Sequence, residues 1–212
     1  ASNINFSDSA EPTRLTVRSN TNGSYDSAGN GGTVKARTTS TNAGGYDYYD
    51  YTSGTTATAI ASVKTGYSFN GWYTSGTGGS LLTYNSTYTF TITSSISKYA
   101  RFTSNTYTVT FDQQSGSGGS SSVTASYGLA MPAATAPSRT GYTFGGYYTS
   151  TGGLGTQYYT NTMASAINWD IASNRTLYAK WTANTYTVTF DKQGGSGGSS
   201  SVTATFGSAM PS

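Results

Sequence analysis

The sequence contains no histidine and no cysteine, and glutamate occurs once, at Glu11. Without histidine there can be no Ser-His or Cys-His nucleophile system and no histidine-ligated metal site. Without cysteine there can be no disulfide framework and no zinc thiolate site. We therefore predict a protein that is not an enzyme, with no catalytic residue, no metal site and no cofactor.

Charge is also scarce, because only 9% of the residues are charged and the net charge is +3. The 11 Lys and Arg residues form no cluster, so the sequence predicts neither a nucleic-acid partner nor a polybasic membrane patch. No apolar run approaches the ~18 residues of a membrane span. We expect no transmembrane segment.

Serine and threonine make up about a third of the chain, and 27 glycines accompany them. A flexible linker has a similar polar composition, but it lacks the 14% aromatic content and the 19 tyrosines of this chain. Aromatic rings bury large apolar areas, so this composition favours folded modules with small cores.

The clearest feature that is present is an internal repeat. Residues 109–132 (VTFDQQSGSGGSSSVTASYGLAMP) return without a gap as residues 188–211 (VTFDKQGGSGGSSSVTATFGSAMP). Residues 64–75 (KTGYSFNGWYTS) return as residues 139–150 (RTGYTFGGYYTS). Repeats of this length indicate a structural module copied in tandem.

Strict alternation identifies strands in the second copy. Tyr107, Val109 and Phe111 share one face of a strand, and a Gly/Ser stretch after them predicts a hairpin with a long flexible tip. The pair Gly145-Gly146 predicts a bend or bulge in the next strand. Residues 177–181 alternate in a closing strand that runs almost directly into the next copy.

The first copy is diverged. Its opening half, residues 15–18 and 31–37, matches by pattern alone, and residues 42–51 (NAGGYDYYDY) form an insert without a counterpart in the second copy. The predicted division is an N-terminal extension at 1–12, a diverged first module at 13–104, a second module at 105–183 and an incomplete third module at 184–212.

The incomplete module comprises one hairpin, and an isolated hairpin is marginally stable in water. A neighbouring chain could complete it by strand addition, or the hairpin could belong to a longer array. The expected partner is accordingly another copy of this chain, joined head to tail, or the rest of that array. The residues predicted to contact a neighbouring subunit form its apolar face: Tyr186, Val188, Phe190, Val202 and Phe206.

A tyrosine-rich stretch at residues 46–51 (YDYYDY) is a candidate ligand surface, with Tyr46, Tyr48 and Tyr49 as its contacts. Asp47 and Asp50 could hold a cation loosely, but a solvated loop or a tyrosine contact surface fits the stretch better. A glycan or a host surface protein is the partner implied by this alternative. The further tyrosines considered for it, which would otherwise be core rings, are Tyr147, Tyr148, Tyr158 and Tyr159.

Four sequons predict N-glycosylation, at Asn5, Asn22, Asn85 and Asn174. The chain begins at Ala1 instead of methionine, which we interpret as a processed or excised N-terminus consistent with secretion. An extracellular or cell-surface glycoprotein is therefore expected.

The phrases YTVTFD at 186–191, FGSAMP at 206–211, RTGYTFGGY at 139–147 and LYAKW at 177–181 resemble the Listeria-Bacteroides repeat family, known from the B-repeats of internalins. Two departures from that family are a long Gly/Ser hairpin tip and Tyr147, which stands where the family prefers the tryptophan kept here as Trp72.

The resemblance implies a mainly β fold with little helix, in which small β-grasp-like (ubiquitin-like) modules are arranged as a rod. It also implies a stalk or filament subunit of a secreted or surface-anchored microbial protein, with surface adhesion as the alternative. The family offers no catalytic residue to carry over.

Overall fold

The computed structural model describes residues 11–211. Within that range the chain forms sixteen β-strands and a single turn of 3-10 helix, Thr151–Gly153. The prediction of a mainly β protein with little helix is confirmed. Two compact units divide the chain, one ending at Asn105 and one beginning at Thr106.

The first unit contains a mixed sheet. Its central strand β1 (Thr13–Thr21) pairs in parallel with β9 (Ile96–Ser104), and β9 pairs antiparallel with β6 (Tyr67–Tyr73), which pairs with β7 (Leu81–Thr83). The other edge of β1 carries β2 (Ser24–Tyr25) and β4 (Tyr46–Tyr51).

A second, three-stranded sheet completes this unit. It orders β3 (Gly32–Lys35), β5 (Thr55–Val63) and β8 (Thr87–Ile92), all antiparallel. Alternate residues of both sheets point into one core, as the period of two in a strand requires. The largest fully buried side chains of that core are Leu15, Val17, Val34, Trp72, Ile92 and Phe102.

The second unit has one five-stranded sheet. In it β10 (Thr106–Asp112) lies between β11 (Ser122–Ser126) and a parallel partner, β14 (Arg175–Ala183). Next to β14 come β12 (Tyr142–Ser150) and β13 (Leu154–Tyr159). Irregular segments cover the core face in place of a second sheet, and they contribute Met131, Met163 and Trp169.

The remaining strands, β15 (Thr185–Thr189) and β16 (Ser201–Thr205), form a separate antiparallel hairpin. Asn184 connects it to the second unit's sheet, because its N–H donates to Gly141 O over 2.9 Å and its Oδ1 accepts from Thr143 Oγ1 over 2.7 Å. Asn105 makes the equivalent bonds in the first unit, to Gly66 O and from Ser68 Oγ.

The predicted bulge at Gly145-Gly146 is confirmed. The register between β12 and β14 shifts between Phe144 and Tyr147, and Gly146 has φ of 109°, a conformation that glycine adopts without steric cost. The first unit has the equivalent bulge at Gly71, with φ of 117° and a register shift between Phe69 and Gly71.

Two expectations for residues 42–51 were wrong, namely that the insert has no counterpart in the second copy and that its tyrosine stretch is a solvated loop. Residues 46–51 are not a loop but strand β4, which pairs with β1 at the edge where β11 pairs with β10, so the insert does have a counterpart. Tyr49 and Tyr51 pack against the core, and this burial draws the segment into the sheet. Strand β3, from the stretch 31–37, lies in the second sheet instead.

The Gly/Ser tip of the second copy is held in place rather than free, contrary to its predicted flexibility. Ser117 and Ser138 exchange backbone N–H···O bonds of 2.8 and 2.9 Å, and Ser120 N–H donates to Thr135 O. The tip of the third copy instead bonds within itself, as from Gly195 N–H to Lys192 O.

Candidate functional site

The tyrosines of β4 lie on two faces of the sheet. Tyr46 and Tyr48 point outward and are 41% and 51% exposed, whereas Tyr49 points to the core side. The structure therefore brings only two of the three predicted ligand contacts together. Tyr49 is covered in turn by the Arg37 guanidinium, 4.3 Å from its ring centroid.

The two carboxylates of this strand also point apart. Asp50 forms a bidentate ion pair with Arg14, with distances of 2.7 and 2.8 Å, and the guanidinium holds the pKa of Asp50 below its usual value. Asp47 accepts the N–H of Ala36 over 2.8 Å on the other side. In the described part of the chain, no group of three or more His, Cys, Asp or Glu side chains could hold a metal ion.

The outer face of the first unit's mixed sheet carries a cross-strand row of polar and aromatic side chains. Register places Tyr46, Arg18, Tyr99 and Tyr73 side by side on four adjacent strands. Asn20 and Arg101 are neighbours in the next row of the same face. Arginine stacks on several of these rings, with the Arg18 guanidinium 5.6 Å from Tyr46 and that of Arg101 3.8 Å from Tyr73.

A cavity of about 290 Å³ opens on this face, which approaches the ~300 Å³ lower end of small-ligand sites. The side chains that form its walls come from β1, β2, β9 and the loop after β6. The lining residues are Arg18, Asn20, Gly23, Tyr25, Ser75, Gly76, Thr77 and Tyr99.

Sequence reasoning did not find this cavity. The alternation of β1 does place Arg18 and Asn20 on the face opposite Leu15 and Val17, and that signal was available. The parallel pairing of β1 with β9 joins residues that are far apart along the chain, such as Arg18 and Tyr99, and it could not be read from a single sequence.

The apolar face of the third hairpin is largely uncovered. Tyr186 and Phe190 are 50% and 44% exposed, and Val188 and Val202 are half-buried. Phe206 is 40% exposed as well, but its ring also packs edge-on against Tyr142, with centroids 5.6 Å apart. Its N–H donates to Asn184 O. One end of the face is thus occupied from within the chain.

Three of the other tyrosines considered as ligand contacts are core residues. Tyr147, Tyr158 and Tyr159 are all buried, which excludes them from a surface site. Burial raises the pKa of Tyr147 and of Tyr159 to about 12, and it raises the pKa of Tyr158 as well. Tyr148 is half-buried beside the Lys180 ammonium.

The predicted glycosylation sites fall in different settings. Asn5 lies outside the described residues. Asn85 is exposed before β8, and Asn174 is exposed while its Oδ1 accepts the N–H of Thr108. Asn22 has its amide engaged, since Nδ2 donates to Ser104 Oγ and Oδ1 accepts the Ser104 N–H.

Comparison with known families identifies both repeats. The profile of the Listeria-Bacteroides repeat domain matches residues 24–101 and residues 107–180, which together make up more than half of the chain. The chain belongs to the Listeria-Bacteroides repeat domain family. The first match includes β4 and the second sheet, so the diverged first copy is a member as well.

Similar proteins come from two bacteria. A putative Gly-rich membrane protein of Evansella cellulosilytica is 36% identical over 154 residues, which are 70% of this chain and 16% of that protein. Internalin H of Listeria monocytogenes is 36% identical over 125 residues, which are 58% of this chain and 21% of internalin H. The chain thus spans only about a fifth or less of these relatives' length.

The first of these relatives is named as a membrane protein, and neither name is that of an enzyme. Within residues 11–211, no helix has the length and apolar character needed to span a bilayer.

Proposed function

We propose that this chain is a segment of an extracellular stalk, in which tandem modules joined end to end hold other parts of a surface protein away from the cell. The observation that carries this proposal is the length of the connections. One residue, Asn105, separates β9 from β10, and one residue, Asn184, separates β14 from β15. Short connections restrict the orientation of neighbouring modules, as a rod requires.

Asn184 supports the same proposal by its bonds. It joins the start of the third hairpin to Gly141 and Thr143, and its carbonyl oxygen accepts the N–H of Phe206, the residue directly after the second strand of that hairpin. Asn105 repeats the first two contacts with Gly66 and Ser68. A junction that is bonded on both sides resists bending better than a free linker.

Each module is proposed to be a variant of the β-grasp fold. The support is the strand order β11-β10-β14-β12-β13, in which the first and last long strands of the module pair in parallel at the centre of a mixed sheet. Irregular segments take the place of the helix that crosses the sheet in ubiquitin-like proteins.

The third hairpin is proposed to be the first half of a further module. Its exposed face carries the same apolar residues that β14 and the covering segments bury in the second module. A segment equivalent to residues 134–183, from the same polypeptide, would cover it. A second copy of the chain that supplies this segment is the other outcome of the test. The extracellular location rests on the relatives' names and on the exposed sequons.

Surface display tests the stalk. One, two and four copies of residues 105–183, each of which keeps the junction asparagine, are placed between a bacterial cell-wall anchor and an epitope tag, and antibody access to the tag is measured. Access should rise with each copy, and it should exceed that of Gly/Ser linkers with equal residue counts, because a flexible chain extends only as about the square root of its length. Equal access for modules and linkers would contradict a stalk.

A further inference from the structure

Three unsatisfied polar atoms lie together on the outer face of the first unit's mixed sheet. Buried polar atoms nearly always have a hydrogen-bond partner, so each exception calls for an explanation. Among residues 11–211, six buried side-chain atoms lack one, and half of them are Arg18 Nε, Asn20 Oδ1 and Arg101 Nε. Arg18 and Asn20 line the 290 Å³ cavity described above.

The cavity has a formed wall. Arg101 Nη2 donates to Ser75 O over 3.0 Å and also to Gly78 O, which holds the loop after β6 against the sheet. A Cβ added at Gly76 would lie 2.8 Å from Asn20 Nδ2, so only glycine allows the loop to approach the amide this closely. Asn20 itself is 4% exposed, and its side chain lines the site.

The charge of the site is positive. Among residues 11–211 the structure shows one ion pair between a basic and an acidic side chain, Arg14–Asp50. Arg18 and Arg101 therefore have no carboxylate partner there. A guanidinium binds a carboxylate through short, charge-assisted hydrogen bonds, and Arg18 Nε is a free donor for one.

Aromatic rings flank that donor. Tyr25 is 49% exposed with its ring centroid 5.4 Å from the Arg18 guanidinium, and Tyr99 lies beside Arg18 on the neighbouring strand. A tyrosine ring offers an apolar face together with a polar hydroxyl, which suits the C–H face and the hydroxyl groups of a sugar. Asn20, Ser75 and Thr77 add short polar side chains that can bond sugar hydroxyls.

We propose that this cavity binds a carboxylate-bearing sugar at the surface of an acidic glycan. Arg18 binds the carboxylate, Asn20 Oδ1 accepts a sugar hydroxyl, and Tyr25 and Tyr99 contact the ring. The first unit would then be an adhesive module of the stalk through residues other than the exposed pair Tyr46 and Tyr48. This binding is independent of whether the modules form a stalk.

The second unit provides a built-in comparison. Tyr178, the repeat equivalent of Tyr99, pairs with Asp112, so a carboxylate stands where the first unit has the Arg18 guanidinium. The same face of the second unit should therefore repel the ligand that the first unit attracts.

The test is an NMR titration of the ¹⁵N-labelled 212-residue chain with glucuronic acid and with N-acetylneuraminic acid. Glucose serves as the neutral sugar, and an acetylated aspartyl peptide serves as the carboxylate without a sugar ring. We expect at least one of the two acidic sugars to shift the amides of Tyr25, Gly76 and Tyr99, with a Kd on the order of 1 mM or below. Glucose and the peptide should bind about tenfold more weakly or not at all.

Two variants and a matched control complete the test. Arg18→Gln should weaken acidic-sugar binding about tenfold or more, and Tyr25→Ser should weaken it several-fold without loss of fold, since Tyr25 is half exposed on a two-residue edge strand. Arg37→Gln removes another tyrosine-stacked arginine outside the cavity and should leave binding unchanged.

Several results would overturn the proposal. In the titration, these are the absence of shifts with both acidic sugars at about 10 mM, binding of glucose or of the peptide as tight as that of the acidic sugars, or shifts confined to the second unit. In the variants, the contradicting result is unchanged affinity in a folded Arg18→Gln or Tyr25→Ser chain. A failure here would leave the display experiment on the stalk unaffected.

Discussion

The hairpins β10–β11 and β15–β16 have nearly the same sequence in two different surroundings. Phe111 stacks on Tyr147 with centroids 4.4 Å apart and is 6% exposed, whereas its equivalent Phe190 is 44% exposed. Val109 is fully buried and Val188 is half-buried. The register of the two hairpins is nevertheless equivalent, since Val109 pairs with Val123 and Val188 pairs with Val202.

This comparison separates what a hairpin specifies by itself from what its covering segments add. Strand pairing follows from the local sequence, which is why both copies have it. Burial of the apolar face follows from β14, β12 and the irregular segments, which among residues 11–211 pack on the first of the two hairpins and not on the second. Equivalent positions in the repeats should therefore respond differently to the same substitution.

The largest difference is expected for the two phenylalanines. Phe111→Ala should destabilise the second unit by about 3–5 kcal/mol, because it leaves a cavity beside Tyr147 and Tyr159. Phe190→Ala should cost less than about 1 kcal/mol. Native-state hydrogen exchange measures the first cost at the amides of β10 and β14 and the second at the amides of β15 and β16. Equal costs for the two variants would contradict the comparison.

A second difference is expected in stability at high pH. One core position is occupied by Trp72 in the first unit and by the ionisable Tyr147 in the second. The pKa of Tyr147 and of Tyr159 is raised to about 12, so the folded state keeps protons that the unfolded state begins to lose near the ordinary tyrosine pKa of 10.0. The stabilisation is complete below that value and is lost as the pH rises toward 12. Unfolding of the second unit, followed by tyrosinate absorbance, should become easier across this window.

Tyr147→Phe is the matched variant for that measurement. The hydroxyl of Tyr147 is buried without a hydrogen-bond partner, so its removal should be neutral or stabilise the unit by up to about 1 kcal/mol at neutral pH. The variant should also reduce the loss of stability at high pH. An unchanged alkaline profile would show that Tyr147 does not contribute to it.

A smaller effect is expected at the junction with the third hairpin. Gly141 has φ of 77°, and a Cβ there would lie 2.3 Å from the Phe206 ring. Gly141→Ala should cost about 1–3 kcal/mol and release Phe206 from Tyr142. Loss of amide protection at Asn184 and Phe206, with the second unit's core unchanged, is the expected result.

Gly152→Ala is the control for this variant. Gly152 has a similar φ of 73° but nothing within 4 Å of an added Cβ, so it isolates the backbone strain from the contact. If the Phe206 amide is equally protected from hydrogen exchange in both variants, the ring contact does not hold the hairpin.

The smallest effect is expected where Lys98 of the first unit corresponds to Leu177 of the second. Lys98 is 6% exposed beside Phe90, and burial lowers its pKa, whereas Leu177 is fully buried. Lys98→Leu should stabilise the first unit by about 1 kcal/mol at neutral pH, measured by denaturant unfolding. Lys64→Leu, at an exposed lysine, should change stability by less than about 0.5 kcal/mol.

The wild-type chain and the Lys98→Leu variant should also differ in how their stability changes with pH. Because the folded state has the lower lysine pKa, the unfolded state binds more protons below the ordinary value of 10.5, and wild-type stability should rise as the pH increases toward that value. Lys98→Leu should remove this rise. A rise of equal size in the variant would contradict the assignment to Lys98.

The sequence predicted the second module well and the first module poorly. Alternation at Tyr107, Val109 and Phe111 identified β10, and the Gly145-Gly146 pair identified the bulge, because both signals are local. Strand β4 was missed because its two faces have the same composition. In the stretch Tyr46–Tyr51 each face carries two tyrosines and one aspartate, so the sequence does not show which face is apolar. The half-buried ring of Tyr51 packs against the core, and its hydroxyl donates to Ala36 O, which stabilises β4 in the sheet.

The candidate site was less predictable for a related reason. Its residues come from three strands and the loop after β6, and only the parallel pairing of β1 with β9 brings Arg18 beside Tyr99. Parallel neighbours are far apart in the chain, and nothing in a single sequence encodes their register. The exposed face of the third hairpin, by contrast, was predicted from alternation alone, except that Phe206 has its own partner in Tyr142.

The most direct test of the tandem-module account is to complete the third hairpin. A copy of residues 134–183 is appended after Ser212, and hydrogen exchange of the β15 amides is compared with that of the β10 amides in the same chain. A control carries serine at the copies of Tyr147, Trp169 and Leu177. The account predicts that β15 gains the protection of β10 in the extended chain and not in the control; unchanged exchange of β15 in the extended chain would contradict it.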